Sequence, residues 1–463
     1  MLINLLCAAF GMALGYRNRA NLLYLYLILY PFDGAALSGI GITVFTLLSY
    51  TVLVPLILYL GYDLLRMEKG DQRSRFAAVA LGLGMLYLYI FARYLVALNP
   101  KRDSYFLVLS SGFVLIFGVL YYFRQLRTDI ISHIFKLVIV VELGVTVGQA
   151  LFGAEPGRVL GIFDFNQFAP KLILAQDTYR GTGTFQDPNY YALYLAAISS
   201  FLLIRFSWLN ASVCCLGIVA VLFSFSRMGV LLAAVLCGFL LVRFIRWRTP
   251  RKYLGLCFAL PLLLAVAIQL WANFPAQVGW GMEQIASALR ARFNDGYDSG
   301  VDSRAFIAAV YFQSMFKLSN VLMGLGFLNF QMVLEQVTGV NQVAHNEYIQ
   351  IFADLGLAGL LLIGLVLYRV FRHCRWRAAT FGNPYFGTLV ILLFGDLFLS
   401  TTLYNYVYFF YALYGAHLLY QPERSDALRD GAGNQSGWEG EPWPGSEGRP
   451  GAQPKQRTGA AGS

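Results

Sequence analysis

The chain has 463 residues, of which 58% are hydrophobic and only 13% are charged, whereas about 25% of the residues of an ordinary soluble domain are charged. A bilayer-spanning helix needs roughly 20 apolar residues, so this composition suits a polytopic membrane protein. It excludes a soluble globular enzyme, a disordered chain and a secreted disulfide scaffold. The net charge of +10 fits basic cytoplasmic loops, and no nucleic-acid binding is inferred from it.

Apolar segments follow one another along the chain as far as Tyr420, and the first two are too short for two comfortable spans. The segments are 2–15, 20–32, 40–62, 76–98, 104–123, 131–152, 188–206, 208–226, 228–246, 252–271, 346–369, 384–402 and 403–420. Such runs form helices in a bilayer, because every backbone polar group must be bonded internally there. The sequence therefore predicts an all-α polytopic membrane protein with about 12 transmembrane helices, within a range of roughly 11 to 13.

Short arginine-rich loops orient these predicted spans. Loops 63–75, 243–252 and 369–377 each carry at least four Lys or Arg residues. Alternation of the spans places all three loops on one side, which we expect to be the cytoplasm. Two smaller basic pairs agree with this orientation and one disagrees. The agreeing pairs are Arg17 with Arg19 and Arg124 with Arg127, and the disagreeing pair is Lys101 with Arg102.

The opposite, outer face carries the two longest internal loops, about 153–187 and 272–345. Long loops inside a compact protein are usually functional. Within the second loop, Met282 to Phe293 is amphipathic, and Asp302 or Ser303 is placed to cap a further helix that runs to about Lys317. We expect these short helices to lie at the outer membrane–water boundary.

The end of the chain differs in composition from everything before it. Residues 421–463 contain nine Gly and five Pro, and no Ile, Val, Phe or Tyr. A segment of this composition cannot bury a core. The sequence thus predicts a membrane domain over 1–420, followed by a disordered cytoplasmic tail over 421–463.

Four residues on the predicted outer face suggest chemistry: Arg180, Arg227, Arg304 and His345. Guanidinium groups bind phosphate oxygens bidentately and remain charged, and two or three of them match the charge of a diphosphate. A histidine with a pKa of about 6.5 is suited to accept a proton from a hydroxyl. The set predicts displacement of a diphosphate leaving group by an alcohol, with a lipid-linked diphosphate as the natural donor at a membrane.

The six cysteines contain no C-x-x-C pair, and the four histidines lack the spacing of a metal site. No carboxylate cluster suited to a divalent cation is evident in the sequence, so the arginines are expected to stabilise charge in place of a metal.

Each of these residues also has a simpler interpretation. A lone arginine at a helix end is more often a membrane-interface anchor than a ligand. Arg227 is more telling, because it falls between two apolar runs, where charge is costly and tends to mark function. His345 could simply be hydrogen-bonded, and Asn189, after Pro188, could cap or initiate a helix. We interpret Gly324-Leu325-Gly326 as a turn rather than a phosphate loop, and His133, His373 and His417 as structural or solvated.

At these residues the sequence resembles the O-antigen ligase and polymerase superfamily. Up to about position 150, the chain matches that superfamily only as generic hydrophobic helices. Relatives often carry Ser or Gly directly after the arginine of the second motif, where this chain has Met228. The matching stretches are Arg180 to Phe185 with Pro188-Asn189, Phe225 to Gly229, Ser303-Arg304, Met323 to Phe327, and His345 to Tyr348 with Leu355 to Leu360.

The resemblance implies a GT-C-like glycosyltransferase of the bacterial inner membrane. Such enzymes move a preassembled glycan from undecaprenyl diphosphate to an acceptor on the periplasmic side, and in O-antigen ligases the acceptor is a sugar hydroxyl of lipid A–core. The implied partners are therefore the undecaprenyl-diphosphate-linked O-antigen, lipid A–core and membrane lipids. No nucleotide sugar, metal or other cofactor is expected.

The resemblance also assigns roles to residues of this chain. His345 would be the general base, while Arg227 and Arg304 would bind the diphosphate or orient the acceptor. Arg180 would help to hold the donor. Asn189 and Asn346 would be supporting groups.

An O-antigen ligase is thus the leading hypothesis, and three alternatives stay open. The first is a polymerase that adds repeat units to another lipid-linked glycan. The second is an oligosaccharyltransferase that modifies a protein hydroxyl. The third is a transporter or flippase for an anionic lipid, which would favour inverted repeats and broken helices near the middle of the membrane. The sequence predicts neither feature.

Overall fold

The computed structural model describes residues 2–32, 36–37, 44–66, 71–152, 163–164, 181–185, 187–224, 226–246, 304–338, 346–372, 385–399 and 404–420. Helices make up nearly all of this part of the chain. Besides them there is one antiparallel ladder, in which β1 (Ala36–Leu37) pairs with β2 (Phe163–Asp164). The predicted all-α class is confirmed.

The first half of the helical bundle contains seven α-helices among the described residues. They are α1 (Leu2–Arg17), α2 (Ala20–Leu29), α3 (Val44–Leu48), α4 (Val54–Arg66), α5 (Asp71–Leu95), α6 (Arg102–Tyr122) and α7 (Thr128–Phe152). A π-helical stretch, Ser49–Leu53, joins α3 to α4, so Val44–Arg66 forms one continuous span. Short 3₁₀ turns, Tyr30–Phe32 and Phe123–Gln125, follow α2 and α6.

The second half contains nine further helices in the described ranges. They are α8 (Pro188–Leu202), α9 (Trp208–Phe223), α10 (Arg227–Arg246), α11 (Arg304–Ser314), α12 (Leu318–Met323), α13 (Asn329–Thr338), α14 (Glu347–Phe371), α15 (Phe386–Asp396) and α16 (Asn405–Tyr420). The predicted helix that begins after Asp302 or Ser303 corresponds to α11. The predicted span 252–271 and the amphipathic segment Met282 to Phe293 lie outside the described residues.

Five helices of the described chain are long and apolar enough to cross a membrane, and five shorter apolar helices accompany them. The long ones are Val44–Arg66, Phe76–Leu95, Arg102–Gln125, Thr128–Gly148 and Glu347–Phe371. These helices support a membrane protein. The total of about 12 spans and the GT-C-like arrangement stay predictions, as does the tail over 421–463. Residues Met1–Tyr420 form one compact unit.

Helix contacts define two opposite ends of the bundle. We call the end where α1, α4 and α6 finish the basic end. There Tyr122 Oη donates to Asp63 Oδ2 (2.8 Å), and Arg369 of α14 donates to Ala78 O of α5 (3.4 Å). We call the end where α8, α10, α14 and α16 begin the site end. The ends of α4 and α6 therefore lie together, and the end of α14 lies beside the first part of α5, in agreement with the predicted alternation.

Helix α8 occupies the centre of the bundle and places its own start at the site end. It packs against α7, α9, α10 and α15, and all but one of its 15 residues are buried. Tyr194 is surrounded by aromatic rings, with ring-centroid distances of 5.1 Å to Phe185 and to Tyr406 and 5.8 Å to Tyr30. Dense packing of large rings leaves α8 little freedom to move.

A break interrupts α14 at Gly356, contrary to the prediction that no span is broken. Gly356 has φ +62° and ψ −165°, a conformation that only glycine adopts without strain. The freed backbone oxygens are bonded by the protein itself. Ala353 O accepts from Leu325 N (2.7 Å), and Leu355 O accepts from Tyr89 Oη (2.8 Å). The local sequence signal for this break is weak, because the break depends on a turn that lies much earlier in the chain.

Candidate functional site

The segment Gly181–Phe185 wraps around a carboxylate buried in α7. The Thr184 backbone N–H donates to Glu142 Oε2 (3.0 Å), and the Thr184 hydroxyl hydrogen-bonds to Glu142 Oε1. Glu142 is completely buried. A buried carboxylate is costly unless it is hydrogen-bonded, so Glu142 and this segment depend on each other.

Glycine is required at the tightest point of this segment. Gly183 has φ +55°, and a Cβ atom there would overlap Glu142 Oε2 and the ring of Tyr191. Tyr191 in turn hydrogen-bonds to Thr146, one turn beyond Glu142 on α7 (2.5 Å). The Gly-Thr-Gly-Thr sequence therefore folds closely onto α7 because glycine lets the backbone approach it.

Two hydrogen bonds lie where this segment, the end of α9 and the starts of α8 and α10 meet. Gly181 N donates to Phe223 O at the end of α9 (3.0 Å). Ser226 Oγ donates to Asn189 Oδ1 on the first turn of α8. Arg180 directly precedes Gly181, and Arg227 directly follows Ser226, so the structure brings together the backbones beside two predicted site residues.

The starts of α8 and α10 lie side by side at this junction. The N-cap of α8 is Asp187, whose side chain accepts from Asn189 N (2.6 Å), with Pro188 at the first helical position. The alternative in which Asn189 itself caps the helix is therefore wrong. Asn189 instead uses its side chain to hold Ser226. Helix N-termini carry partial positive charge, which favours an anion at this end.

The remaining predicted site residues are described less completely. Arg227 is the first residue of α10 and Arg304 the first residue of α11, but only their backbones belong to the described part of the chain. Arg180 and His345 lie outside it. Asn346 is the N-cap of α14: its Oδ1 accepts from Ile349 N and its Nδ2 donates to Leu397 O, both at 3.0 Å. Its side chain thus anchors α14 to the end of α15.

A second glycine-bearing turn, Gly324–Phe327, lies against the break in α14. Gly324 and Gly326 have φ of +75° and +110°, and Gly326 N donates to Asp354 O (3.2 Å). Arg93 of α5 donates to Gly324 O (2.9 Å). The interpretation of Gly324-Leu325-Gly326 as a turn is confirmed, and its backbone N–H groups are bonded to protein.

Around this turn, α11, α13 and the first turns of α14 form a small separate core. Ile307, Tyr311 and Phe330 are buried in it, together with Ala353 of α14. Burial raises the pKa of the Tyr311 phenol to about 12, so it stays neutral at physiological pH and contributes packing rather than charge. This core fixes the helix that Arg304 begins to the helix that Asn346 caps.

Helix α12, in the 272–345 loop, packs against α14. It precedes Gly324, which packs on Gly356 at the break in α14. None of the side chains of α12 is buried, and Leu318 and Leu322 are exposed. The expected position of short helices of this loop at the outer membrane–water boundary stays a prediction.

The sequence analysis missed three buried acids, Glu142, Asp354 and Asp396. All three lie inside predicted apolar spans. Asp354 Oδ2 accepts from Gln350 Nε2 (2.8 Å), and Asp396 Oδ2 accepts from the Tyr411 hydroxyl. The signal that could have found them is the acidic residue itself, because an ionisable side chain inside a span is rare and tends to be functional. Of the other histidines, His133 is exposed and His417 packs edge-on against Tyr385, as interpreted, and His373 lies outside the described residues.

Residues 211–364 match a family model described as O-Antigen ligase. The matched region runs from α9 into α14 and includes Arg227, Arg304, His345 and Asn346. Arg180 and Asn189 precede it. No curated protein matches the chain.

Proposed function

We propose that this chain, which the family match supports as a member of the O-antigen ligase superfamily, is an O-antigen ligase. It would transfer a preassembled glycan from undecaprenyl diphosphate to a sugar hydroxyl of lipid A–core. The reaction would take place at the site end of the bundle, on the periplasmic face of the bacterial inner membrane.

One observation carries the proposal: the hydrogen-bonded junction of Gly181, Phe223, Ser226 and Asn189. Arg227 directly follows Ser226 of this junction, and Arg180 precedes Gly181 in the sequence. The two guanidinium groups would bind one diphosphate together, since charge-assisted bidentate hydrogen bonds are the strongest of their kind. Asn189 and Asp187 would support the site by holding these backbones in place.

The proposed reaction is a single displacement. The acceptor hydroxyl oxygen attacks the anomeric carbon while the bond from that carbon to the diphosphate oxygen breaks. The leaving undecaprenyl diphosphate keeps the bonding electron pair, and Arg180, Arg227 and Arg304 stabilise its charge. His345 takes the hydroxyl proton. In-line displacement inverts the configuration at the anomeric carbon.

The lipid part of the donor would stay in the bilayer while its diphosphate reaches the arginines. Exposed apolar side chains at the start of α12 and just before it support this arrangement. The side chains of Phe316 and Leu318 are 85% and 70% exposed, and in lipid such surface costs nothing. A donor chain lying along this surface would keep its head at the site end.

The break in α14 is the feature that a transporter would use, but its oxygens already have protein partners. Ala353 O and Asp354 O accept from Leu325 N and Gly326 N, and Tyr89 donates to Leu355 O. Transporter sites instead leave such oxygens available to the transported ion. These hydrogen bonds favour glycan transfer over lipid transport as the function of the chain.

The experiment that tests the proposal is reconstitution of the purified protein with undecaprenyl-diphosphate-linked glycan and lipid A–core. Glycan on lipid A–core is the expected product. Longer lipid-linked glycan with unmodified core would replace the ligase with a polymerase, and glycan on an added protein acceptor would replace it with a protein O-oligosaccharyltransferase. Absence of transfer to all three acceptors would overturn the enzymatic proposal.

A matched pair of histidine variants tests the mechanism in the same assay. Replacing His345 by Ala should lower transfer by about 10²–10⁴-fold, the usual cost of losing a general base. The control is His133→Ala, because His133 is exposed and lies near the basic end. Both variants should unfold at the temperature of the unmodified protein. Equal activity of the two variants would remove His345 from the mechanism.

A further inference from the structure

A cavity of about 930 Å³ opens at the basic end, where α1, α4 and α6 finish and α2 begins. Its size falls within the range of about 300–1,000 Å³ that is typical of small-ligand sites. The proposed transfer reaction lies at the opposite end of the bundle and makes no use of this cavity.

The cavity is rich in uncompensated positive charge. Its lining contains Arg17, Arg19 and Arg66 against a single carboxylate, Asp63. Asp63 is already engaged, since it accepts from Tyr122 Oη (2.8 Å) and lies 3.4 Å from Arg19 Nε. With Arg19 and Asp63 paired, Arg17 and Arg66 have no further carboxylate in the lining as far as the chain is described.

Packing holds the wall of the cavity in shape. The Arg19 guanidinium lies 4.2 Å from the centroid of the Tyr59 ring and donates to Gly15 O (3.0 Å). Tyr59 in turn donates to Met12 O of α1 (2.5 Å). Arg66 stacks over the Tyr62 ring at 4.3 Å. These contacts distinguish the arginines of the cavity from the loosely distributed arginines that orient a membrane protein.

The donors of the lining match the oxygen atoms of a phosphate group. Besides the arginines, Asn18 and Gln125, whose side-chain amides can donate, line the same space. Tyr121 lines it as well, with its hydroxyl donating to Asp63 O (3.2 Å). Phosphate oxygens accept hydrogen bonds only, and guanidinium groups bind them with charge assistance. The ligand class that this lining recognises is therefore an anionic phosphate compound.

Exposed apolar side chains on the helices that form the cavity indicate where such a ligand comes from. Leu65, next to Arg66, is 89% exposed. Ile57 and Leu58 of α4 and Leu6 and Phe10 of α1 are exposed as well. Basic pockets between transmembrane helices at the cytoplasmic side are suited to acidic lipid headgroups, and these side chains offer a path for the acyl chains.

We propose that the cavity at the basic end is a phosphate-binding site, occupied by the headgroup of an acidic phospholipid from the adjoining leaflet. Arg17 and Arg66 bind the phosphate, while the Arg19–Asp63 pair shapes the floor. The site does not depend on the identity of the glycan acceptor.

The test uses the full-length protein, reconstituted with equal amounts of phosphatidylglycerol and phosphatidylcholine. Native mass spectrometry counts the lipid that stays bound. The variant Arg17→Gln/Arg66→Gln is compared with Arg124→Gln/Arg372→Gln, which removes the same charge from exposed positions at the same end but outside the cavity. A second arm adds soluble glycerol 3-phosphate and measures thermal unfolding.

Preferential retention of phosphatidylglycerol is expected for the unmodified protein. Each arginine near an anionic headgroup contributes about a fivefold effect, so the cavity variant should lose this preference by about 25-fold. The control variant should keep it to within about twofold. Unfolding temperatures of both variants show whether the helix ends remain folded.

Other outcomes separate the sources or overturn the proposal. Stabilisation by glycerol 3-phosphate that only the cavity variant loses, without preferential lipid retention, would assign the site to a soluble phosphate compound. Equal losses in the two double variants would mean that only net charge matters. That result would overturn the proposed site. Equal retention of the two lipids, with no effect of glycerol 3-phosphate on the unfolding temperature, would also overturn it.

Discussion

Two glycine-bearing segments of this protein, Gly181–Phe185 and Gly324–Phe327, have similar sequences but different structural roles. The first closes around a side chain, the buried carboxylate of Glu142. The second closes around the backbone of a broken helix, at Ala353 and Asp354. One therefore connects a buried charge to the candidate site, whereas the other holds a helix in shape.

The difference teaches that a short glycine motif does not by itself bind phosphate. Backbone N–H groups can cradle an anion only when they are not already bonded to protein. In the second segment, Leu325 N and Gly326 N are used by the helix break. In the first, Gly181 N is used by Phe223 O and Thr184 N by Glu142. We propose that Arg180, which precedes the first segment in the sequence, makes it part of a binding site, whereas Arg93 beside the second segment donates to Gly324 O.

Among changes that bear on these two segments, the largest effect is expected from Glu142→Ala, which removes the acceptor of Thr184. The segment would shift, and Arg180 would shift with it. A displacement of about 1 Å can cost about 10²-fold in rate, and a loss of this size is expected in the transfer assay. The comparison variant is Asp354→Ala, which should reduce stability more than transfer per folded molecule. Unchanged transfer in Glu142→Ala would show that the carboxylate does not position the site.

The next largest effect is expected on the free energy of unfolding, when the second segment, Gly324–Phe327, is changed. A Cβ atom at Gly324 would overlap Asp354 O, and φ is +75°. Strain and overlap together should lower the free energy of unfolding in Gly324→Ala by about 3 kcal/mol. Gly364→Ala is the control, because that position on α14 has open space around it. Equal unfolding temperatures of the two variants in detergent would contradict the docked turn.

A smaller effect is expected for Arg93→Gln at the same turn. The variant loses the bond from Arg93 Nη2 to Gly324 O (2.9 Å). Hydrogen bonds from charged groups contribute about 2 kcal/mol, and a loss of that order should appear in thermal unfolding. Transfer per folded molecule should stay close to that of the unmodified protein. A selective loss of transfer would mean that the second segment also contributes to the site.

The smallest effects are expected at the two helix caps, Asp187 and Asn346. Loss of an N-cap typically costs about 1 kcal/mol, and each alanine variant should show a loss of this size. Asp187→Ala should also reduce transfer, since Asp187 starts the helix that carries Asn189. The KM for the donor is compared between the two alanine variants, to distinguish the two caps. Equal KM values would indicate that α8 and α14 contribute to the site to the same degree.

The sequence alone determined the features that depend on local composition. The length of apolar runs predicted α5, α6, α7 and α14, because a helix in lipid must bond its own backbone. The arginine-rich loops predicted which helix ends share a side. The motifs identified the superfamily that the match over 211–364 supports.

Tertiary structure decided the features that depend on contacts between distant residues. The partner of Glu142 lies 42 residues away, and the break at Gly356 is filled by a turn from a separate part of the chain, Gly324–Phe327. The cavity at the basic end combines residues of α1, α4 and α6. Hydropathy and charge are summed along a chain, whereas a buried carboxylate, a broken helix or a cavity is stabilised by partners that only packing brings within hydrogen-bond distance.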